Sequence, residues 1–227
     1  MGQEEVQVIT YNWYRNALSE GACNLFRTIG EDKLLKEGRT ATGISNTRRS
    51  NVAFFNSVET QIVQDNVTHL IEESNVNNNW NYLIDFLEDV QFTTYHSSDS
   101  QKQRDLALSK LEIGEYKDDY YGWHKDWCCL KCSRNEDGDE TGIKGARKIS
   151  CSILLSSSDE YEGGEFKIAN GEISRMDDGV FLKCENANIK NKGDMVVFKS
   201  DIFHRVAPVT KGVRKSLVLW FSGPEFT

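Results

Sequence analysis

The sequence predicts a mostly β, α+β chain of the sandwich or barrel class, with helices packed against one sheet. Three observations carry this. From about residue 82 onward the chain breaks into many short runs with strand-like alternation. Those runs are separated by polar, glycine-containing turns. Upstream, two segments instead repeat their apolar residues at helical spacing. Only two prolines occur, and no repeat or low-complexity tract, so residues 1–227 read as a single domain. Helical support occupies about 1–80, and the β core about 81–222.

The first helix is expected over 18–38, with Ser19 as N-cap and Gly38 as C-cap. "NVAFFNS" (51–57) reads as a strand. The second helix is expected over 57–74, where Ile62, Val63, Val67, Leu70 and Ile71 share a face. Strands follow at 82–95, 108–116, 120–127, 147–157, 164–170, 171–176, 180–185, 194–200, 204–209 and 215–222. Asn170-Gly171 signals a type I′ hairpin between two of them. The polar, Gly-rich segment 131–146 reads as a loop beside the candidate site.

Composition narrows the function. The net charge of −8 argues against a partner bound mainly through phosphates, with "NTRRSN" (46–51) as one local basic exception. No apolar run approaches the length of a membrane span, and the N-terminus lacks a signal-peptide core. The expectation is a cytoplasmic chain whose six cysteines are reduced. Cys129 and Cys132 have zinc-like spacing, but no second such pair exists, so free thiols are expected there and at Cys128.

"YYGWHKDW" (120–127) carries the chemistry. On a strand, His124 and Asp126 point to the same side. Alone, this pair reads more readily as a surface His and a surface Asp on a strand. His204, opening a later strand, is the natural third ligand among the four histidines. Two His and one carboxylate with open positions form the facial triad of non-haem Fe(II), whereas structural zinc prefers a closed set of four. Arg214, ten residues beyond His204, is expected beside it across an antiparallel pair, presenting a fork suited to a carboxylate.

"YYGWHKDW", "YEGGEF" (161–166) and "GDMVVFKSDIFHRVAPVTKGVRKSLVLWF" (193–221), in this order, resemble the prolyl 4-hydroxylase-like Fe(II)/2-oxoglutarate dioxygenases, including the PKHD-type hydroxylases. The resemblance covers roughly residues 80–222 and implies a double-stranded β-helix (jelly-roll) core. It implies iron on His124, Asp126 and His204, and the distal carboxylate of 2-oxoglutarate on Arg214. Trp220 would wall the co-substrate pocket. Tyr116 best matches the family's co-substrate tyrosine, with Tyr121 a second candidate, although Tyr121 falls on the opposite pleat from His124 unless the strand bulges. Ile153 would form an apolar wall. The implied cofactors are Fe(II), 2-oxoglutarate and O2, with ascorbate a further expectation. The implied reaction hydroxylates an unactivated C–H bond, with succinate and CO2 as co-products.

The substrate, a protein or peptide residue such as proline or a small molecule, is not written in the sequence. Two alternatives stay open: a jelly-roll binding module without turnover, and a cupin-like metalloenzyme that does not use 2-oxoglutarate.

Overall fold

The computed structural model describes residues 9–33, 36–37, 47–107, 116–127, 145–176 and 179–225. Two antiparallel sheets face each other, and helices cover the outside of the larger one. In chain order the strands are β1 (Tyr11–Tyr14), β2 (Lys36–Glu37), β3 (Arg48–Arg49), β4 (Asn51–Phe54), β5 (Phe86–Leu87), β6 (Gln91–His96) and β7 (Tyr120–His124). They continue as β8 (Ala146–Leu154), β9 (Tyr161–Gly163), β10 (Phe166–Met176), β11 (Gly179–Asn186), β12 (Met195–Lys199), β13 (His204–Val206) and β14 (Val209–Gly223). The helices are α1 (Glu20–Glu31), α2 (Ser57–Asn77) and α3 (Ser98–Ala107). The larger sheet runs β1-β12-β8-β14-β6-β4-β2, with β5 and β9 also paired to β14, and the smaller runs β11-β10-β13-β7-β3.

Period-2 alternation explains the layering. On β14, Leu217, Leu219 and Phe221 face outward into the core under α1 and α2, together with Phe26, Val63, Val67, Ile71 and Phe92. On β12, Met195 and Val197 join that core, while Val196 and Phe198 point between the sheets with Tyr95, Phe166, Ile168, Val206 and Val209. The helices start where their caps direct. Ser19 accepts a hydrogen bond from the Ala22 amide, and Asn56 and Glu59 form a reciprocal capping box.

Several expectations change. α1 stops at Glu31 with Asp32 as its C-cap, and Lys36–Glu37 already pairs with β4, so the helix does not reach Gly38. The 82–95 run is strand only at 86–87 and from Gln91 onward, where β6 starts. Of the expected strand 108–116, residues 108–115 lie outside the described residues, and Tyr116 lies on no strand. Asn170-Gly171 makes no hairpin. β10 runs through it with a register shift between Ala169 and Ile173, as a mid-strand glycine permits. β1 and α3 had no clear signal, the first being short and the second almost wholly polar. Cys128, Cys129, Cys132 and most of the 131–146 segment lie outside the described residues.

Candidate metal centre

The smaller sheet brings His124 and His204 together. They are direct cross-strand partners on β7 and β13, so their side chains share the inner face. Their ring centroids lie 4.1 Å apart. β7 ends at His124, and Asp126 sits just beyond it, turned back toward both rings. His124 Nε2 is 3.6 Å from Asp126 Oδ1, and His204 Nε2 is 3.4 Å from Asp126 Oδ2. Each ring's Nδ1 bonds a backbone carbonyl, His124 to Gly122 at 2.8 Å and His204 to Ile202 at 3.0 Å. That fixes Nδ1 as the protonated nitrogen of the neutral ring and leaves the Nε2 lone pair toward the carboxylate.

Electrostatics agree. Burial, then the neighbouring His204, pushes the His124 pKa down to about 3, which keeps the ring neutral. Burial alone would raise the Asp126 carboxyl, but His204, His124 and Arg147 outweigh it and hold it well below the ordinary range. Asp126 Oδ2 is buried without a hydrogen-bond partner. One ligand atom from each of the three residues lies within 4.8 Å of the others. Two imidazoles with Nε2 toward a carboxylate, one oxygen of which is orphaned, fit a divalent cation of the N/O-binding type.

The register of β7 resolves the Tyr121 question. His204 pairs with His124 but Val206 pairs with Tyr121, so β7 bulges by one residue between them. The bulge brings Tyr121 to the inner face, where its ring stacks on His124 at 3.5 Å and 12°. Arg48 covers the other face of Tyr121, 4.7 Å from its centroid. Burial pushes the Tyr121 phenol up to about 12, so it stays a neutral donor.

Arg214 is reached by a different route from the one expected. The chain turns at Ala207-Pro208, so β13 and β14 lie in different sheets and Arg214 is not the strand neighbour of His204. "VTKG" lies within β14 and is not a turn between strands. Arg214 instead projects from the larger sheet into the space between the sheets. It is 1% exposed, its Nη1 donates to Ser216 Oγ at 3.1 Å, and its Nε has no partner. Gly164 of "YEGGEF" makes room for it. At φ 64°, a Cβ there would lie 2.9 Å from Arg214 Cδ. Trp220 is on the same face, buried, with its Nε1 unbonded and Arg147 4.0 Å above its ring. Arg147 is held by a bidentate pair with Glu88, its closest contact 2.7 Å. Ile153 points the other way, into the core under the helices, and lines no site.

Tyr95 was missed. It faces Arg214 directly across the β6–β14 pair. Burial raises its pKa, Arg48 and Arg214 oppose that rise, and Asp126 adds to it, so the phenol lies within electrostatic reach of both Arg214 and the candidate ligands. Alternation in "QFTTYH" was the available signal, because it puts Tyr95 on the face opposite Phe92. Tyr116 precedes β7 and is partly buried.

Comparisons with known proteins agree with this geometry. Residues 111–222 match the model of the 2OG-Fe(II) oxygenase superfamily. A PKHD-type hydroxylase of Xylella fastidiosa (strain M12) is 32% identical over 100 residues, which are 44% of this chain and 38% of that protein. One from Janthinobacterium sp. (strain Marseille) is 30% identical over 113 residues, 50% of this chain and 41% of that protein. The matches thus span about two fifths of these relatives' length. Among solved structures, a viral collagen prolyl hydroxylase from Paramecium Bursaria Chlorella virus-1, in complex with 2OG, has a TM-score of 0.57 at 17% identity, covering 95% of this chain and 97% of that one. A Pseudomonas putida prolyl-4-hydroxylase has a TM-score of 0.54 at 16% identity, covering 93% and 91%. A prolyl hydroxylase from Trichoplax adhaerens, in complex with a hypoxia inducible factor peptide fragment, has a TM-score of 0.55 at 18% identity, covering 93% and 83%. Among the described residues no helix is long and apolar enough to cross a membrane. With residues 111–222 matching that family model, PKHD-type relatives in sequence and a fold shared with solved prolyl hydroxylases, the chain resembles the PKHD-type members of the 2OG-Fe(II) oxygenase superfamily.

Proposed function

We propose that this chain is an Fe(II)- and 2-oxoglutarate-dependent dioxygenase that hydroxylates an unactivated C–H bond of a protein or peptide, with a prolyl residue as the leading target. His124, Asp126 and His204 would hold the iron. When bound, the iron supplies oxygen activation coupled to decarboxylation of 2-oxoglutarate to succinate and CO2. The chain's own residues do the rest. Asp126 and the two imidazoles offer one side of the coordination sphere. Tyr121 stacks on His124 and restrains its ring. Arg214, Ser216 and Tyr95 offer donors to the distal carboxylate, and Trp220 walls that side.

One observation carries the reading most. Arg214 is almost fully buried, and among the described residues no carboxylate pairs with it. A buried guanidinium without an anion is costly, so the site is built for an anionic ligand. That separates the proposal from a cupin-like enzyme that does not use 2-oxoglutarate. The peptide substrate is inferred from the prolyl hydroxylases of similar fold. Anaerobic Fe(II) plus 2-oxoglutarate should give the weak visible charge-transfer band of the chelate, together with 2-oxoglutarate turnover on prolyl peptides. No band with the intact chain overturns the proposal. A band without turnover on any substrate supports a binding module instead.

A further inference from the structure

Among the described residues, the outer face of the smaller sheet carries cations that no carboxylate pairs with. His124 and His204 use the inner face, so alternation turns Trp123, Lys125, Phe203 and Arg205 outward. Arg205 Cζ lies 5.2 Å above the Trp123 ring, and Lys125 Nζ lies 4.8 Å above Phe203. Lys167 is the direct cross-strand partner of Arg205 on the same face. Two like charges placed opposite each other destabilise a sheet. Arg49, the cross-strand partner of Tyr120 on β3, extends the row to the sheet edge.

Among the described residues, no carboxylate forms an ion pair with Arg49, Lys125, Lys167 or Arg205. Arg205 Nε is also buried without a hydrogen-bond partner. Glu165, exposed at the start of the same face, pairs with none of them. On a chain of net charge −8, such segregation is the opposite of what random placement gives. The row ends at the candidate metal centre, since Lys125 lies between His124 and Asp126 and Phe203 precedes His204. Exposed Trp127, at 54%, continues it.

We propose that this face docks an acidic peptide segment of the protein substrate, flanking the residue that enters the metal site. The inference rests on the dioxygenase reading above. Carboxylate side chains would meet Lys167, Arg205 and Lys125, and Phe203 and Trp127 would take apolar neighbours. A short acidic peptide fits better than a polynucleotide, because the net negative charge repels a long polyanion.

Fluorescence anisotropy of two labelled peptides with a central proline tests this without turnover. One carries Asp and Glu flanks, the other Asn and Gln. The acidic peptide should bind about tenfold more tightly, roughly 1.4 kcal/mol, and lose that advantage in high salt. Lys167→Glu with Arg49→Glu should abolish the advantage while leaving the anaerobic Fe(II)/2-oxoglutarate band unchanged. Equal binding of the two peptides to the unaltered chain overturns the proposal, as does tighter binding of an oligothymidylate of equal charge. Because the band is read separately, equal binding of the two peptides to an unaltered chain that gives the band defeats only this inference.

Discussion

Arg214 and Tyr95 stand directly opposite each other on β14 and β6, with the guanidinium carbon 5.8 Å from the tyrosine ring centroid and both side chains buried between the sheets. Of the pair, Arg214 Nε is buried without a hydrogen-bond partner. Arg214→Ala should weaken 2-oxoglutarate binding by about 10- to 100-fold, since a hydrogen bond to a charged group contributes roughly 1.5–3 kcal/mol. Tyr95→Phe should cost about 2- to 10-fold. Titration of the anaerobic chelate band measures both. Unchanged affinity in Arg214→Ala would remove the assignment.

Asp126 Oδ2 is a buried carboxylate oxygen without a hydrogen-bond partner, the atom a cation would meet. Asp126→Ala should keep the fold when metal-free and lose the response to metal. With metal at about 100 times its dissociation constant, only the unaltered chain should gain stability, roughly 2.7 kcal/mol. Thermal melts with and without Fe(II) or Co(II) read this. A metal-free Asp126→Ala that melts much lower would make the residue structural.

The Tyr121–His124 stack makes a prediction that depends on shape. Tyr121→Phe keeps the ring and should leave metal affinity nearly unchanged. Tyr121→Ala removes a contact of about 0.5–1.5 kcal/mol, so affinity should fall about 2- to 10-fold. Competition against a chelator measures the difference, and equal affinities would show that the stack does not restrain the ligand.

Gly30 lies in α1, where alanine is the better helix former by about 1 kcal/mol. Its Cβ would, however, meet Phe92 Cγ at 2.3 Å. Overpacking costs about 1–3 kcal/mol and should win, so Gly30→Ala lowers the melting temperature. A rise would mean that the Phe92 ring relaxes freely.

A network of Arg27, Glu31, Glu160 and Lys215 ties α1 to the larger sheet, with Arg27–Glu31 at 3.0 Å and Arg27–Glu160 at 2.5 Å. Burial alone would raise both carboxyls, but hydrogen bonds from Arg27 and Lys215 to Glu31, and from Arg27 and the Ser157 amide to Glu160, hold them below the ordinary value. A lowered folded-state pKa means stability that is present above the unfolded value and lost as pH falls through the folded one. The groups are partly exposed, so the effect is about 1 kcal/mol or less. Glu160→Gln should flatten the acid limb of a plot of melting temperature against pH, and an unchanged limb would place the acid sensitivity elsewhere.

The candidate ligands and Arg214 were legible because their types are rare together. A His-x-Asp among aromatics, a later His and an Arg ten residues on form a pattern that local propensity does not produce. The first helix start was legible too, since Ser19 caps through a bond to its own first turn, whereas the Asn56 capping box and the stop at Asp32 were not. What the sequence determined by itself was therefore the local layer: an N-cap, the alternation and the candidate ligands. Which strand each residue pairs with was decided only in three dimensions. Arg214 reaches the site from the opposite sheet because the chain crosses over at Ala207-Pro208. Tyr121 turns inward because β7 bulges against β13, and Tyr95 meets Arg214 through a pairing more than a hundred residues apart in sequence. Such pairings depend on which faces bury the most apolar surface across the whole chain, and no short stretch encodes that choice.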